Sequence, residues 1–471
     1  MSKLLGQHKS QSSVGLATPL GADIDVNATD VAGRTPLHWA ATAAHAGCAA
    51  MLLSDARVDV SLRCSPSGYS PLHNACLAKA LPIIAALLAH PSVQVNAGDA
   101  KGRPALLLAA VRGDADTVRI LLADPRIDVG DTGTGATPLH LAAMAGHVDI
   151  VRTFLCDPRV SVDARCEVGR ETPLAAAAEE GHVAVIMAFL KDGRANPNVR
   201  MGRRLTALHR AVSMGKAAAV AALLSDERVD PNLASEAGDT PLIAAAWAGD
   251  VAVLQALLPD GRTAVNQRAK GGMTALHVAA MKGHAAAVAE LLAHSRVDPA
   301  LTNDGGATAL GIALKRDKTD VVRVLLADPR VCVSAVAQAF GNSDGPATAL
   351  QSAIDFGGTA TIAAVLECPR VDIHEIPKGG STALVRAAAL DRGDAVRLLL
   401  SNPRSHDVAT ALITATTLGK LSALRALLAD PRTDPTVTKE GMTALHCAVM
   451  NGQVAAAAIL LRDPREGLAQ V

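Results

Sequence analysis

One four-residue motif recurs along nearly the whole chain and constrains its fold more than any other feature. Thr35-Pro36-Leu37-His38 is the first clear copy, and most copies follow at intervals of 33–35 residues. The thirteen tetrads begin at Thr35, Ser70, Pro104, Thr137, Thr172, Thr206, Thr240, Thr274, Thr308, Thr348, Thr382, Thr410 and Thr443. Self-similarity at a fixed period of this length is the signature of stacked repeats. We therefore predict a stack of similar units instead of separate globular domains.

The fourth unit shows how one repeat is built. Thr137 is suited to cap a helix, and Pro138 fits its first turn, where a missing N–H has no consequence. Gly146 tolerates the left-handed conformation that ends this helix. A second helix is predicted over 148–156, and Arg159 is placed to approach the free carbonyl groups at its end. The residues predicted to face the core are Leu139, Ala142, Ala143, Ile150, Val151, Phe154 and Leu155.

The composition fits thin layers of helices. Only 4 Phe, 2 Trp and 1 Tyr occur among 471 residues, although 49% of the residues are hydrophobic. Aromatic rings bury much area each and are prominent in thick cores, so small aliphatic side chains must form this core. The 45 basic and 45 acidic residues balance each other, and no basic stripe of the kind that binds nucleic acid is present. Nucleic acid is therefore not an expected partner.

Cysteine usage and hydropathy bear on the cellular compartment. The eight cysteines include no C-x-x-C pair, which favours free thiols in a reducing compartment over a disulfide framework. The polar residues 1–14 lack the apolar run of a signal peptide. No stretch approaches the roughly 18 consecutive apolar residues of a membrane helix. We expect a soluble, intracellular, cytoplasmic protein that makes no membrane contact.

The repeat unit resembles the ankyrin repeat. The resemblance covers about residues 21–465 and rests on Thr35-Pro36-Leu37-His38, Thr137-Pro138-Leu139-His140, Thr274-Ala275-Leu276-His277 and Thr443-Ala444-Leu445-His446, with Gly146-His147, Gly181-His182 and Gly283-His284 in phase. It implies an all-α solenoid of stacked helix pairs with hairpin-like fingers. It also implies that each tetrad histidine bonds backbone between units, and that the protein binds a partner without catalytic residues.

The resemblance also suggests how the chain is divided. We predict a polar N-terminal tail over 1–20, a repeat array over 21–465 and a C-terminal tail over 466–471. The array is irregular at 331–347, which holds an insertion, and at 401–409, which lacks most of a finger. Loops tolerate such changes, so drift in surface loops is the simpler interpretation. A kink or a dedicated contact site is the alternative.

A search for catalytic and metal-binding motifs predicts no enzyme, cofactor or metal site. The phosphate-binding loop, the dinucleotide-binding glycine pattern, the nucleophile elbow and the zinc-protease motif are all missing from the sequence. Recurrence at a fixed repeat position indicates architecture, not ligation. Ten of the fifteen histidines hold such positions: His38, His73, His140, His209, His277, His446, His45, His147, His182 and His284.

A candidate protein-binding site lies where the repeat pattern leaves residues free to vary. In the family, the finger tips and the exposed part of each first helix line one concave face, and the two residues before the helix end are variable. Exposed Trp, Arg and Met at such positions are typical of interfaces. The predicted site comprises Met214, Trp247 and Met281, followed by a basic rim of Lys282, Lys315 and Arg316. The alternative for Trp247 is that it fills a gap between repeats, and Trp39 is predicted to lie in the core.

Three functions are weighed. The first is a scaffold or adaptor that binds a protein on the concave face. The second is a structural protein that self-associates through its apolar ends, because Cys48–Leu53 and Gln453–Leu461 have almost no polar face. An enzyme with an unrecognised site is a remote third. The identity of the partner does not follow from the sequence.

Overall fold

Helices dominate the residues that the computed structural model describes. These residues are 24–130, 135–167, 170–338, 346–376, 380–402, 407–439 and 441–463. Contacts divide the chain into two units, Met1–Ser161 and Val162–Val471. The predicted tails, 1–20 and 466–471, lie outside the described residues.

The tetrad starts each regular first helix because its side chains satisfy the backbone groups that a helix leaves unpaired there. The Thr35 hydroxyl accepts from the backbone N–H of His38. In return, His38 Nδ1 lies 3.2 Å from the backbone N of Thr35 and 2.9 Å from its hydroxyl. This reciprocal arrangement is a capping box with histidine in the place of the usual Glu or Gln. The same box recurs at Ser70, Thr137, Thr206, Thr274 and Thr443.

The first unit contains four helix pairs among its described residues. Its helices are α1 (Pro36–Thr42), α2 (Ala46–Leu53), α3 (Pro71–Leu77), α4 (Leu81–Ala89), α5 (Ala105–Val111), α6 (Ala115–Leu122), α7 (Pro138–Met144) and α8 (Val148–Leu155). First helices pack on first helices, and second helices on second helices. Two layers of short helices result.

The second unit repeats this arrangement over nine helix pairs. Its helices are α9 (Pro173–Glu180), α10 (Val183–Asp192), α11 (Ala207–Ser213), α12 (Ala217–Leu224), α13 (Pro241–Ala248), α14 (Val251–Leu257), α15 (Ala275–Lys282), α16 (Ala285–Ala293), α17 (Ala309–Lys315), α18 (Thr319–Ala327), α19 (Ala349–Phe356), α20 (Thr359–Leu366), α21 (Ala383–Ala389), α22 (Gly393–Ser401), α23 (Val408–Thr417), α24 (Leu421–Leu428), α25 (Ala444–Met450) and α26 (Val454–Leu460). Short 3-10 turns lie at Gly202–Arg204 and Lys270–Gly272. The all-α repeat solenoid predicted from the sequence is thus confirmed.

The core lies between the two layers. All seven residues that the sequence assigns to the core of the fourth unit are buried, including Phe154, which is fully buried. Gly146 adopts the expected left-handed conformation with φ of 76°. Truncation of such a side chain to alanine costs about 2–5 kcal/mol because a cavity adds to the lost transfer energy.

The arginine after each second helix has a different target from the one predicted. Arg159 follows α8, yet its guanidinium donates to the carbonyl of Leu122, at the end of α6 in the preceding repeat, at 2.8 Å. Asp157 holds the guanidinium in place through an ion pair of 2.7 Å. We call this arrangement the arginine clamp. It recurs at Arg126, Arg228, Arg262, Arg296, Arg330, Arg370 and Arg432. The position two residues before Arg296 and Arg370, however, holds no carboxylate.

The fingers are short turns joined to their neighbours by backbone hydrogen bonds. The Glu236 N–H donates to the Arg203 carbonyl at 2.9 Å, and the Asp304 N–H donates to the Gly271 carbonyl at 3.0 Å. Antiparallel strand pairs occur in two fingers of the described chain: β1 (Ala337–Gln338) with β2 (Pro346–Ala347), and β3 (Thr438–Lys439) with β4 (Met442–Thr443). The first pair lies at the predicted insertion, much of which falls outside the described residues.

The short interval at 401–409 has a clear structural consequence. Helix α22 ends at Ser401, and α23 already begins at Val408. Residues 403–406 lie outside the described part of the chain. Because so few residues join the two helices, α23 begins three residues earlier relative to its tetrad than the regular first helices do, and Thr410 lies within the helix.

Candidate protein-binding surface

The candidate residues lie at the C-terminal ends of four consecutive first helices. Helices α11, α13, α15 and α17 pack side by side in chain order. Side chains at a helix end are often exposed to solvent, because the chain turns away from the core there. We call the set Met214, Trp247, Met281, Lys282, Lys315 and Arg316 the aromatic surface.

Trp247 is the centre of this surface. Its side chain is 53% exposed, so it does not serve as a buried filler between repeats. The Lys282 ammonium lies 3.3 Å from the centroid of its ring, a cation–π contact between adjacent repeats. The Trp247 carbonyl receives a hydrogen bond from His284 Nε2 at 3.0 Å. The backbone is therefore fixed while the outer face of the ring stays accessible.

The two methionines beside Trp247 differ from each other. Met214 is 52% exposed, as expected for a contact residue. Met281 is half-buried and packs against Ala307 and Ile312 of the next repeat. Met281 is therefore a less accessible member of the predicted site than Met214, because its flexible thioether fills space between α15 and α17.

The predicted basic rim divides into residues with different surroundings. Lys282 covers the indole instead of standing beside it. The Lys315 ammonium lies 5.9 Å from the ring of Phe356 on the following first helix. Arg316 is exposed. Phe356 holds the same variable helix-end position, is itself 48% exposed, and extends the surface by one repeat beyond the residues predicted from the sequence.

The other tryptophan provides an instructive correction. Trp39 was predicted to lie in the core, yet it is 47% exposed. Its indole N–H donates to the Asp30 carboxylate at 3.1 Å, and the Arg34 guanidinium lies 4.0 Å from its ring centroid. Asp30 and Arg34 both belong to the finger before α1. Charged groups of that finger therefore contact the face of α1 that the sequence assigned to the core.

An acidic cluster borders the aromatic surface on its N-terminal side. Arg210 on α11 forms ion pairs with Glu171 and, at 3.6 Å, with Glu179. Burial raises the pKa of Glu171 above its usual value, against the opposing effect of Arg210. Glu180 is exposed and follows Glu179 at the end of α9.

The tetrad histidines are structural, as the resemblance implies. In four of the six, Nε2 lies 3.0–3.2 Å from a carbonyl oxygen of the next repeat: His38 with Tyr69, His73 with Arg103, His209 with Asp239 and His277 with Ala307. Burial lowers the pKa of all four imidazoles below the usual value. A buried neutral histidine with both ring nitrogens engaged links repeats and is not free to ligate a metal.

The described residues offer neither a metal-binding cluster nor a membrane-spanning helix. They contain no group of three or more His, Cys, Asp or Glu arranged to hold a metal ion. Nor does any helix among them have the length and apolar character needed to cross a membrane.

Comparison with known families decides the identity of the repeats. A family model described as ankyrin repeats, in three copies, matches residues 8–99, 58–132, 90–166, 106–201, 174–268, 242–335 and 401–467. The chain belongs to the ankyrin-repeat family. Residues 336–400, which lie between the matched segments, include most of the insertion and two of the repeats whose tetrads lack histidine, those that begin at Thr348 and Thr382.

Ankyrin repeats are generally modules for protein–protein interaction, and proteins of the family are typically non-enzymatic. The ankyrin repeat domain of Bcl-3, a member of the IkappaB protein family, is one similar solved structure. It is 27% identical, and the match covers 47% of this chain and 96% of that chain with a TM-score of 0.43. No curated protein matches the sequence. The assignment to ankyrin repeats therefore rests on the sequence pattern.

Proposed function

We propose that this ankyrin-repeat protein is a scaffold or adaptor that binds a protein partner through the aromatic surface, on the concave face of its second unit. The supporting observation is Trp247, half-exposed at the end of α13 with a lysine ammonium on its ring. Exposing a large indole to water is unfavourable, and tryptophan is the residue type most enriched at interface hot spots. The proposal includes no catalytic activity.

The chemistry of the surface suggests how a partner would be held. Met214 and Trp247 offer apolar area in adjacent repeats, and Phe356 continues it three repeats further on. The ammonium groups of Lys282 and Lys315 stand over aromatic rings. A partner that places an apolar side chain against the indole and a carboxylate near these ammonium groups would match both features. An intracellular location fits eight cysteines that form no disulfide.

The test compares the two tryptophans. Wild-type protein would be used to capture a partner from native cells, and the purified partner would then be titrated against Trp247→Ala and Trp39→Ala. Loss of a hot-spot side chain typically costs about 2 kcal/mol or more, which is roughly 30-fold in Kd. We expect this loss for Trp247→Ala only. Trp39→Ala is the matched control, since Trp39 is also half-exposed beside a cation but lies in the first unit.

Met281 is left unchanged in this test because its truncation would open a cavity against Ile312. Met214→Ala provides a second exposed variant with no such cavity. Equal affinity of wild type and Trp247→Ala, with both folded, would place the partner elsewhere and refute the aromatic surface.

Self-assembly is a second candidate function, and one observation favours it. Four apolar side chains near the last helix pair are two-thirds or more exposed: Val449, Met450, Val454 and Leu461. We call these four side chains the terminal face, and exposed apolar patches are typical of association sites. If the face self-associates, the mass measured by light scattering rises with protein concentration, and Val454→Glu abolishes the rise. A constant monomer mass would exclude this function.

A further inference from the structure

The position two residues before the tetrad has a left-handed backbone conformation in ten fingers. In eight fingers it is a glycine with φ between 68° and 90°. These are Gly33, Gly68, Gly102, Gly135, Gly238, Gly272, Gly306 and Gly441. In two consecutive fingers of the second unit, however, the same position holds Arg170 with φ of 53° and Arg204 with φ of 59°. Arg203, which precedes Arg204, has φ of 57°.

The left-handed backbone conformation is energetically unfavourable for arginine. An L side chain in the left-handed region crowds its own backbone, whereas glycine adopts it freely. The side chains of Arg170, Arg203 and Arg204 are exposed, so no burial offsets the strain. Strain that packing does not explain is a reason to look for a function of the side chain.

A second pair of arginines stands at equivalent positions of the same two fingers. Arg165 and Arg200 each precede the N–H that closes the finger turn: the Cys166 N–H donates to Glu171 and the Met201 N–H to Leu205, at 3.0 and 2.8 Å. The finger before α15 has Arg268 at this position, and Arg268 is neutralised by Asp304 at 2.9 Å. Neither Arg165 nor Arg200 has such a carboxylate partner among the described residues.

The charge on these two fingers is therefore not balanced locally. Arg165, Arg170, Arg200, Arg203 and Arg204, here called the arginine patch, form no ion pair in the described part of the chain. Glu167 is the acidic residue between Arg165 and Arg170. Glu171, which follows Arg170, is already paired with Arg210. Asp163 accepts from the Asn196 N–H, and Glu236 of the following finger donates its N–H to the Arg203 carbonyl. Neither carboxylate forms an ion pair with the five arginines among the described residues, although the chain as a whole has no net charge.

We propose that the arginine patch binds a carboxylate-rich segment of a protein. The guanidinium group matches a carboxylate in shape and can bind it through two parallel hydrogen bonds. Neighbouring repeats stand about 10 Å apart, and an extended chain advances about 3.3 Å per residue. Acidic side chains three residues apart would thus reach the two fingers together. This site is separate from the aromatic surface and goes beyond the proposed function.

The same fingers are less suited to nucleic acid. Residues 162–171 and 195–205 include no Phe, Tyr, Trp or His on which a base could stack. The carboxylates of Glu167 and Glu171 interrupt the patch, and they would repel a continuous phosphate backbone. A protein segment with separate carboxylates avoids this repulsion.

The experiment measures binding of a synthetic peptide with a glutamate at every third residue to the full chain, at low and at physiological salt. The test variant is Arg170→Gly/Arg204→Gly, because glycine occupies this turn in eight other fingers. The control is Arg63→Ala/Arg112→Ala, which removes the same charge from exposed residues of the first unit. We expect at least a tenfold loss of affinity, about 1.4 kcal/mol, for the test variant and little change for the control.

Each other outcome is also decisive. Equal losses in the two double variants would show that only net charge matters and would overturn the proposal. So would the absence of peptide binding at low salt, or tighter binding of a single-stranded oligonucleotide than of the peptide. Trp247→Ala is expected to bind the peptide as wild type does, so failure of the aromatic surface and failure of the arginine patch give different results.

Discussion

Two stretches of the second unit have the same fold but differ in how their repeats are joined. In residues 196–330, here called the regular stretch, asparagine, histidine and arginine side chains all cross between repeats. Asn232 donates to the Arg262 carbonyl at 2.8 Å and accepts from the Ala264 N–H at 2.7 Å. His277 reaches Ala307 at 3.1 Å. These links are added to the apolar contacts that every repeat makes.

Residues 331–463, the irregular stretch, retain only part of this set. His374 and Thr436 stand where three repeats of the regular stretch have asparagine, and neither side chain offers both an amide donor and a carbonyl acceptor. Gln351 replaces the tetrad histidine once and donates to the Ser381 carbonyl at 3.0 Å. The clamps of Arg370 and Arg432 remain. The stability of a repeat array is a sum of repeat and junction terms, so fewer links predict a weaker stretch.

The largest expected difference concerns the buried histidine link. His277→Ala leaves the Ala307 carbonyl and the Thr274 cap without their partner inside the protein, and we expect a loss of about 3 kcal/mol. Gln351→Ala in the irregular stretch loses fewer bonds, and about 1–2 kcal/mol is expected. Urea unfolding of the two variants measures both losses.

His277→Gln is the control for this experiment. If a hydrogen bond to the next repeat is the main contribution, glutamine should restore at least half of the lost stability, since Gln351 already plays this role. A glutamine variant as unstable as the alanine variant would mean that ring packing, not the hydrogen bond, is decisive.

The arginine clamp should have the next largest effect. Arg262 donates to Leu224 at 2.7 Å and to Glu227 and Val229 at 3.0 Å. Bonds from a charged donor to otherwise unpaired carbonyls are stronger than neutral ones, so Arg262→Ala should cost about 2 kcal/mol. Arg432 in the irregular stretch has two carbonyl partners, so Arg432→Ala should lower the free energy of unfolding by about 1 kcal/mol.

Arg425→Ala is the control for the clamps, because Arg425 is an exposed arginine on α24 and has no clamp geometry. Hydrogen exchange at the ends of α12 and α22 would localise each effect. The clamp has no energetic role if Arg425→Ala is as destabilising as Arg262→Ala.

A substitution in the arginine patch is expected to raise stability, by less than the preceding substitutions lower it. Arg204→Gly relieves a left-handed arginine, which costs about 1–2 kcal/mol, but glycine also increases the entropy of the unfolded chain. A net gain of about 0.5–1 kcal/mol should appear as a higher melting temperature. Gly238→Arg in the neighbouring finger is the reverse change and should lower it. A destabilised Arg204→Gly protein would show that the arginine side chain supports the turn.

The sequence predicts the elements that depend on local chemistry. Thr137, Pro138 and Gly146 act within one helix, so their pattern determines where α7 starts and stops. The surroundings of Trp39, Met281 and Arg159 depend instead on groups contributed by a finger or by a neighbouring repeat, and no local pattern encodes them.

The arginine patch had a local signal that the sequence search did not use. Arg170 and Arg204 stand where aligned units have glycine, and a comparison of the units with each other would have revealed both. The net charge of the whole chain gives no sign of these arginines, because acidic residues elsewhere balance the positive charge of the two fingers.

The smallest expected difference between the regular and irregular stretches concerns how their stability changes as the pH falls. Burial lowers the pKa of His209 and His277 in the regular stretch, so the folded form of each resists protonation. As the pH falls below about 6.5, the usual histidine value, the unfolded chain takes up protons first and stability declines. Above that pH the full contribution is present.

Neither Gln351 nor the other tetrad residues that replace histidine in the irregular stretch titrate in this range. The difference in hydrogen-exchange protection between the stretches should therefore narrow between pH 7 and pH 5. His277→Gln should remove part of the pH dependence. If the difference in hydrogen-exchange protection between the stretches stays the same from pH 7 to pH 5, burial does not keep these imidazoles neutral. The histidine links would then not explain why the regular stretch is more stable.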